Sequence, residues 1–525
     1  MIEIDLIPDR MKKIFTFLAL FVPGLMFAQN IPLNRDLQVE YQLGLKEQLP
    51  LSTTVMSPWV LQVPDSIVKT PGSWLKRKLF SEHLVTVNED DLKLTLDPLV
   101  NFQGGMDRYT RKKTYYNTRG FIIRASLGEH LSFESTFQEN QAVLTPYLDK
   151  FAHQYHIIPG SGRLHGYYGG KVFDYSQSTA YLDYNPGKHF DLQLGNGKNF
   201  IGEGYRSLIL SDESFSYPYL RFTTSFWHLK YTNLYTQFQD LSKTPLDTNY
   251  YNKKYSAMHL LSWDVTKNFN LTLFEAVIWS AADSLTPRGF EVSYLNPVIF
   301  YRPVEFGLGS PDNEMMGFLG SYRLNRTTIY GQVMLDEFRM KDVLAANGMW
   351  ANKQAFQIGV KSLEPFNIKG LYVLAEYNHA RPYTYSHFNV LSNWGNYNQP
   401  LADPLGANFK EGVVQIRYQR DRWIGDMTFI SAMYGLDMNN LNYGQNIFES
   451  NNTYFQWYNN RTGQGLRTKL FYSEMELRYV VNKAMHLEVV GRILYRNEHN
   501  AQWTQKDNEF TLGLRTNVFN RYGAF

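Results

Sequence analysis

Residues 471–479 (FYSEMELRY) and 486–496 (HLEVVGRILYR) alternate with a period of two. Phe471, Met475, Leu477 and Tyr479 fall on one side of an extended chain, and Tyr472, Glu474, Glu476 and Arg478 on the other. In the second run Leu487, Val489, Gly491, Ile493 and Tyr495 oppose His486, Glu488, Arg492 and Arg496. Strand side chains point alternately to two faces, so each run has one apolar and one charged wall. About ten residues of such alternation is what a strand needs to cross a bilayer within a closed barrel. The expected fold is all-β: a closed antiparallel transmembrane β-barrel with a small helical N-terminal element.

Hairpins recur upstream with the same rhythm. Strand candidates pair as 120–127 with 131–138, 178–184 with 189–195, 255–265 with 270–279, 315–323 with 328–338, 353–363 with 370–380, and 410–419 with 424–434. Short connections carrying Asn, Gly, Pro or Lys join them. Long polar segments separate the pairs, at 139–177, 239–254, 280–314, 381–409 and 435–468. Barrels of this type place short turns inside the cell envelope and long loops outside. With 219–238 and 509–519 the clear strands number about seventeen. An even count is required of such a barrel, which makes eighteen the expectation, within two.

Composition agrees. Aromatic residues make up 16% of the chain (37 Tyr, 35 Phe and 10 Trp), a content suited to interfacial girdles. Mean hydropathy is −0.37, which a barrel tolerates because half of every strand faces inward. The formal net charge of +3 is too small and dispersed for a nucleic-acid footprint. Without cysteine there are no disulfides and no thiolate metal sites.

Met11-Lys12-Lys13 and the apolar run Ile14 to Ala28 read as a signal peptide over residues 1–28, with Met11 the expected start. Residues 29–90 read as a periplasmic segment and 91–525 as the barrel. Ser73 to Leu84 is an amphipathic helix candidate with Trp74, Leu75, Leu79 and Phe80 on one face, expected to pack on the barrel's lower mouth. Phe525 gives an aromatic terminus of the kind found in barrels handed to assembly machinery, although Arg521 and Gly523 break the apolar spacing.

The inward set, Glu134, Asp336, Glu376, Arg417, Glu474, Glu476, Arg478, Glu488 and Arg492, mixes both signs. A charge-selective pore favours one sign, whereas mixed charges pair and fill a narrow interior. A plugged lumen is expected over an open one. Enzyme motifs are missing: there is no Gly-x-Ser-x-Gly elbow, and Gly195-Asn-Gly197-Lys198 lacks the full phosphate-loop spacing. His153 and His156 lack a definite third metal ligand. Asp336 and Glu337 point to opposite faces of a strand. No enzymatic activity, metal or other cofactor is expected.

One block is distinctive: Gly195-Asn-Gly-Lys-Asn-Phe-Ile-Gly-Glu-Gly-Tyr-Arg-Ser-Leu-Ile-Leu-Ser-Asp-Glu-Ser-Phe-Ser-Tyr-Pro-Tyr-Leu-Arg221. Gly202 and Gly204, a Ser-rich segment with Arg206 and Asp212, then Pro218 and Arg221, resemble the signature of the Wzi-like capsule-assembly outer-membrane proteins. The chain looks most like the Bacteroidetes branch that includes the gliding-motility protein RemB. Leu295-Asn-Pro297 with Tyr301-Arg302, Gly309-Ser-Pro-Asp-Asn with Asp312 and Asn313, Tyr330-Gly-Gln332 with Asp336, and Asn398-Gln-Pro-Leu401 extend the likeness over roughly residues 90 to 420. The resemblance implies an eighteen-stranded, largely closed barrel that binds capsular or exopolysaccharide at the cell surface. The alternatives are a structural component of a gliding or secretion apparatus, with protein partners, and a porin-like channel.

Arg206 and Arg221 are expected to pair with Glu203, Asp212 or Glu213, as structural rather than sugar-binding groups. Sugars pack their C–H faces on aromatic rings while polar groups take their hydroxyls. The glycan platform is therefore sought in the outer loops, in Arg381, Tyr383, Trp394 and Tyr397, with Tyr385 and Gln399 beside them, and in Trp457, Tyr458 and Arg461, with Tyr443 and Tyr454. Membrane lipid and polysaccharide are the expected partners.

Overall fold

Alternation over the last third of the chain becomes a two-sided wall in space. Phe471, Met475, Leu477, Val489 and Ile493 are exposed on the outside, while Glu476, Arg478, Glu488, Arg492 and Arg496 are buried within. The computed structural model describes residues 29–32, 34–45, 47–57, 60–63, 71–243, 251–281, 288–298, 300–310 and 312–525. The expected signal peptide, residues 1–28, lies outside them.

Eighteen strands form a closed antiparallel barrel. They are β1 (Leu92–Asp107), β2 (Lys113–Leu127), β3 (Leu131–Val143), β4 (Val172–Gly187), β5 (Phe190–Gly197), β6 (Tyr217–Phe226), β7 (Leu229–Lys243), β8 (Tyr251–Thr266) and β9 (Phe269–Ser280). β10 (Asn313–Leu324), β11 (Thr327–Leu335), β12 (Gln354–Leu363), β13 (Leu371–Ala380), β14 (Phe409–Arg420), β15 (Trp423–Leu436), β16 (Leu466–Asn482), β17 (Leu487–His499) and β18 (Thr504–Thr516) complete it. Neighbours in sequence are neighbours in the sheet, and β18 closes on β1 from Glu509 opposite Asp107 to Arg515 opposite Asn101. Closure leaves no open sheet edge, which a lipid environment demands.

The strand missing from the sequence reading is β1. Pro98, Gly104 and Gly105 interrupt its pattern, yet Thr95, Asp97, Leu99, Gln103 and Asp107 still face inward. One end of the barrel, here the turn end, carries only short connections such as 227–228 and 325–326. At the opposite loop end lie the long segments 144–171, 198–216, 281–312, 336–353, 381–408 and 437–465.

Segments enter the lumen from both ends and obstruct it, leaving a cavity of about 490 Å³ among them. Segment 198–216 folds inward from the loop end. From the turn end enters helix α1 (Arg35–Gly44), whose N-cap Asn34 accepts the Leu37 amide at 2.8 Å. Asp36 meets Arg478 at 2.8 Å and Arg417 at 3.0 Å on the barrel wall. Part of the 29–90 segment therefore sits inside the barrel. The last residues also turn back into the lumen after β18. Arg521 pairs with Glu474 at 2.9 Å and Glu476 at 2.8 Å, and Arg496 donates to the Phe525 carbonyl at 2.8 Å. Phe525 packs on Phe151 of helix α3 (Pro146–Tyr155), with 5.0 Å between centroids. It is thus an interior packing residue and does not end a membrane strand.

The interior is not charged throughout, although Lys254 of β8 lies buried on its more apolar side, bound to Asn393. Against β7–β11 the lumen holds an apolar core in which Leu234, Met258, Phe274 and Met315 meet Leu208, Ile209 and Leu210 of the insertion. Inward apolar residues there stand where a pure alternation argument expects polar ones.

The N-terminal amphipathic helix forms as α2 (Trp74–Phe80), capped by Ser73. Asn482, the last residue of β16, donates to the carbonyls of Lys78 at 2.9 Å and Glu82 at 3.0 Å, fixing the helix at the turn-end rim. Its apolar face does not pack on the barrel mouth as expected: Trp74, Leu75, Leu79 and Phe80 are all exposed. Anchorage by backbone carbonyls leaves that face pointing away from the wall.

Candidate functional site

The glycine-rich block forms the insertion that closes the barrel. Gly202 adopts φ 148°, and a Cβ there would strike Gln332, whose side chain brackets the segment. Gln332 accepts the Leu208 amide at 3.0 Å and donates to the Ile201 carbonyl at 3.3 Å. At Gly204 a side chain would collide with the Glu376 carboxylate. That carboxylate accepts the amides of Tyr205 at 2.9 Å and Arg206 at 3.1 Å, and the Tyr330 hydroxyl at 2.9 Å. Both glycines permit close backbone approach to the wall.

Arg206 is buried among acids. It pairs with Glu213 at 2.8 Å, as the sequence led one to expect, and with Glu411 of β14 at 3.1 Å. Asp212 pairs with Arg35 of α1 rather than with an arginine of its own block. Burial raises the Asp212 carboxyl, but Arg35 and Lys198 outweigh it and hold the group below its ordinary value. Burial also pushes the Lys198 ammonium down to about 7. Among the described residues Arg221 forms no ion pair with the acids expected of it; it donates to the Asn199 side chain at 3.2 Å. Pro218 sits in β6 opposite Asn196. The other motif residues fasten loops: Asp312 binds Arg288 and the Tyr294 hydroxyl, Asn313 donates to the Ser392 carbonyl at 3.1 Å, and Asp336 accepts the Tyr385 amide at 2.8 Å. Lys353 lies between Asp336 and Glu337, at 3.8 and 3.0 Å. No group of three metal-ligating side chains occurs among the described residues.

The expected glycan platform divides into a buried and an exposed half. Trp394 is fully buried, and its indole Nε1 donates to the Ile209 carbonyl at 2.7 Å. Tyr385 does the same for the Leu208 carbonyl at 2.7 Å. Tyr383 is buried and donates to Asn442 O at 2.9 Å. The Arg381 guanidinium is held by the carbonyls of Asn352 at 2.8 Å and Met349 at 3.3 Å. Trp394 and Tyr385 cap the insertion because loop 381–408 folds down onto segment 208–210, while Tyr383 and Arg381 fasten neighbouring loops. Tyr397 is half-buried with its ring edge-on to Phe215 at 4.8 Å.

Trp457, Tyr458 and Arg461 are exposed on the loop end. Trp457 belongs to a cluster that includes a residue the sequence did not single out, Trp350. The Trp350 and Tyr454 rings stack at 4.6 Å and 8°. Trp457 stands edge-on to both, 5.6 Å from Tyr454 and 6.4 Å from Trp350. Two loops are zipped together beneath it: Trp350 N donates to Trp457 O at 3.0 Å, and Asn459 N to Asn347 O at 2.9 Å. Tyr383 supports Trp350 from below, edge-on at 6.2 Å. A ring stack with an exposed indole presents an apolar face of the kind a sugar packs on.

The fold is similar to that of Wzi. That protein, described as an outer-membrane protein involved in group 1 capsule assembly in Escherichia coli and a carbohydrate-binding β-barrel, aligns over 93% of this chain and 99% of its own, with 13% identity and a TM-score of 0.53. OprD of Pseudomonas aeruginosa aligns over 83% of this chain and 95% of its own, at 13% identity and a TM-score of 0.42. OccAB2 of Acinetobacter baumannii gives 81%, 96%, 10% and 0.42 for the same measures. No protein-family model matches the sequence, and no curated protein does. At these identities the likeness to Wzi is one of architecture: a closed barrel of outer-membrane type.

Proposed function

We propose that this protein is a non-enzymatic outer-membrane barrel that binds capsular or exopolysaccharide at its loop end. The observation that carries the reading is the exposed Trp457 ring, set on the half-buried Trp350–Tyr454 stack, on a barrel whose lumen is obstructed. A filled barrel transports little, so its work lies on the surface it displays. An exposed aromatic face suits a sugar chain, and Wzi, the barrel of similar fold, is described as carbohydrate-binding. The turn end would then face the periplasm and the loop end the outside.

Binding of polysaccharide purified from the producing cells, measured on detergent-solubilised protein, tests this. Trp350→Ala with Trp457→Ala should weaken binding at least tenfold while the barrel stays folded. Equal binding by the double variant would refute the proposal. Membership of the branch that includes RemB is part of the same reading. Deleting the gene and scoring capsule staining against colony spreading separates a polysaccharide role from one in gliding.

A further inference from the structure

Segment 288–310, expected from its sequence to be an outer polar loop, lies along the outside of the barrel. It covers outward positions of β7, β8, β9 and β10. Glu275 alternates with the lumen-facing residues Phe274 and Ala276, and so points outward. His259 is its cross-strand partner, and Asn233 is the partner of His259. All three polar groups stand on the wall that elsewhere meets lipid, yet His259 and Asn233 are buried.

The segment supplies their cover, and hydrogen-bond partners for Glu275 and His259. Helix α4 (Tyr301–Leu308) begins with Tyr301, whose amide donates to Glu275 at 2.8 Å. Its hydroxyl is 2.7 Å from His259 Nε2, and the two rings stack at 4.2 Å. Arg302 pairs with Glu314 of β10 at 3.4 Å and with Glu305 at 3.3 Å. Tyr231 and Tyr235 donate to the carbonyls of Pro297 and Leu295 at 2.6 and 3.0 Å. The inner side of the segment thus combines these polar contacts with an aromatic cluster in which Tyr294 and Tyr301 pack on Trp279 and Ala257.

Its outer side is apolar. Phe306 is 86% exposed, and Val292, Val298 and Phe300 are each more than two-thirds exposed. In water such a patch would be costly. Its flanks decide what covers it. Glu275 lies directly across from Met316 of β10, and Tyr235 across from Leu220 of β6. Met316 and Leu220 both belong to the exposed apolar wall. The covered area therefore lies at the height of the apolar belt, bounded on both sides by it.

We infer that segment 292–308 is embedded in the membrane, with Val292, Val298, Phe300 and Phe306 against the acyl chains of one leaflet. It replaces the belt over β7–β10 and shields a polar notch of His259, Glu275 and Asn233 from hydrocarbon, where uncompensated polar groups are unfavourable. Arg302 pairs with both Glu305 and Glu314 at its edge.

Because the chain contains no cysteine, single labelling sites are available. Phe306→Cys and Val298→Cys would each carry a nitroxide spin label in protein reconstituted into phosphatidylcholine vesicles. Leu512→Cys, on the exposed wall of β18, serves as the lipid reference, and Asn452→Cys as the water reference. Heat-modifiable migration in electrophoresis confirms that each variant is folded. The expected result is high accessibility to oxygen and at least tenfold lower accessibility to a soluble nickel chelate at 298 and 306, as at 512. Accessibility to the chelate at the level of 452 would overturn the inference and would instead fit a face that docks a protein in water.

Discussion

The indole of Trp394 and the backbone of Ile209 are joined by a 2.7 Å hydrogen bond, with both residues fully buried. That bond ties a long loop to the segment filling the lumen, so the two form one plug. Trp394→Ala removes the bond and leaves a large cavity, at a cost of about 3–5 kcal/mol. Trp457→Ala, on the surface, should cost within about 0.5 kcal/mol. The temperature at which heat-modifiable migration is lost should fall clearly for the first variant and stay unchanged for the second. Equal effects would contradict the division of the platform into a buried and an exposed half.

Arg206 pairs with Glu213 and Glu411 in the lumen. Removing one partner of a buried ion pair leaves uncompensated charge, typically at about 3–5 kcal/mol. Arg206→Ala should loosen the insertion and introduce intermittent current in planar bilayers. A variant as silent as the parent would show that this cluster does not hold the plug.

Gly204 faces the Glu376 carboxylate with no room for a methyl group. Gly204→Ala must displace Glu376 from the amides of Tyr205 and Arg206, an overpacking change worth about 1–3 kcal/mol. Faster amide exchange over residues 202–210 is the expected readout.

His387 is buried within loop 381–408, where burial pushes its imidazole down to about 4. Its Nδ1 accepts the Asn389 amide at 3.3 Å, which requires that nitrogen to be unprotonated. The unfolded histidine titrates near 6.5, so the folded loop binds fewer protons between about 6.5 and 4. Stability is therefore full above about 6.5 and lost as pH falls toward 4, by about 1–3 kcal/mol. Hydrogen exchange across residues 385–392, corrected for intrinsic rates, should quicken from pH 7 to pH 5 in the parent and not in His387→Gln.

The barrel was legible because alternation in runs such as 486–496 reports a two-faced wall whatever the rest of the chain does. β1 escaped because Pro98 and paired glycines break the alternation while cross-strand bonding from β2 and β18 still holds the strand. Periodicity showed that Trp74–Phe80 is amphipathic, but not which way its face points, since an anchor at Asn482 decides that. The loop aromatics were the least legible. Trp394 and Trp457 look alike in sequence, and only the fold of loop 381–408 onto residues 208–210 buries one and exposes the other. Trp350 carries no local signal; its place comes from the backbone pairing of two loops far apart in sequence.

A barrel filled by segment 198–216, helix α1 and the returning C-terminal residues underlies the whole account. Single-channel recording of the purified protein in planar bilayers tests it most directly. The account predicts no current above that of the bare bilayer over a range of voltages and salts. Steady open-channel steps of the size given by a water-filled pore would contradict it.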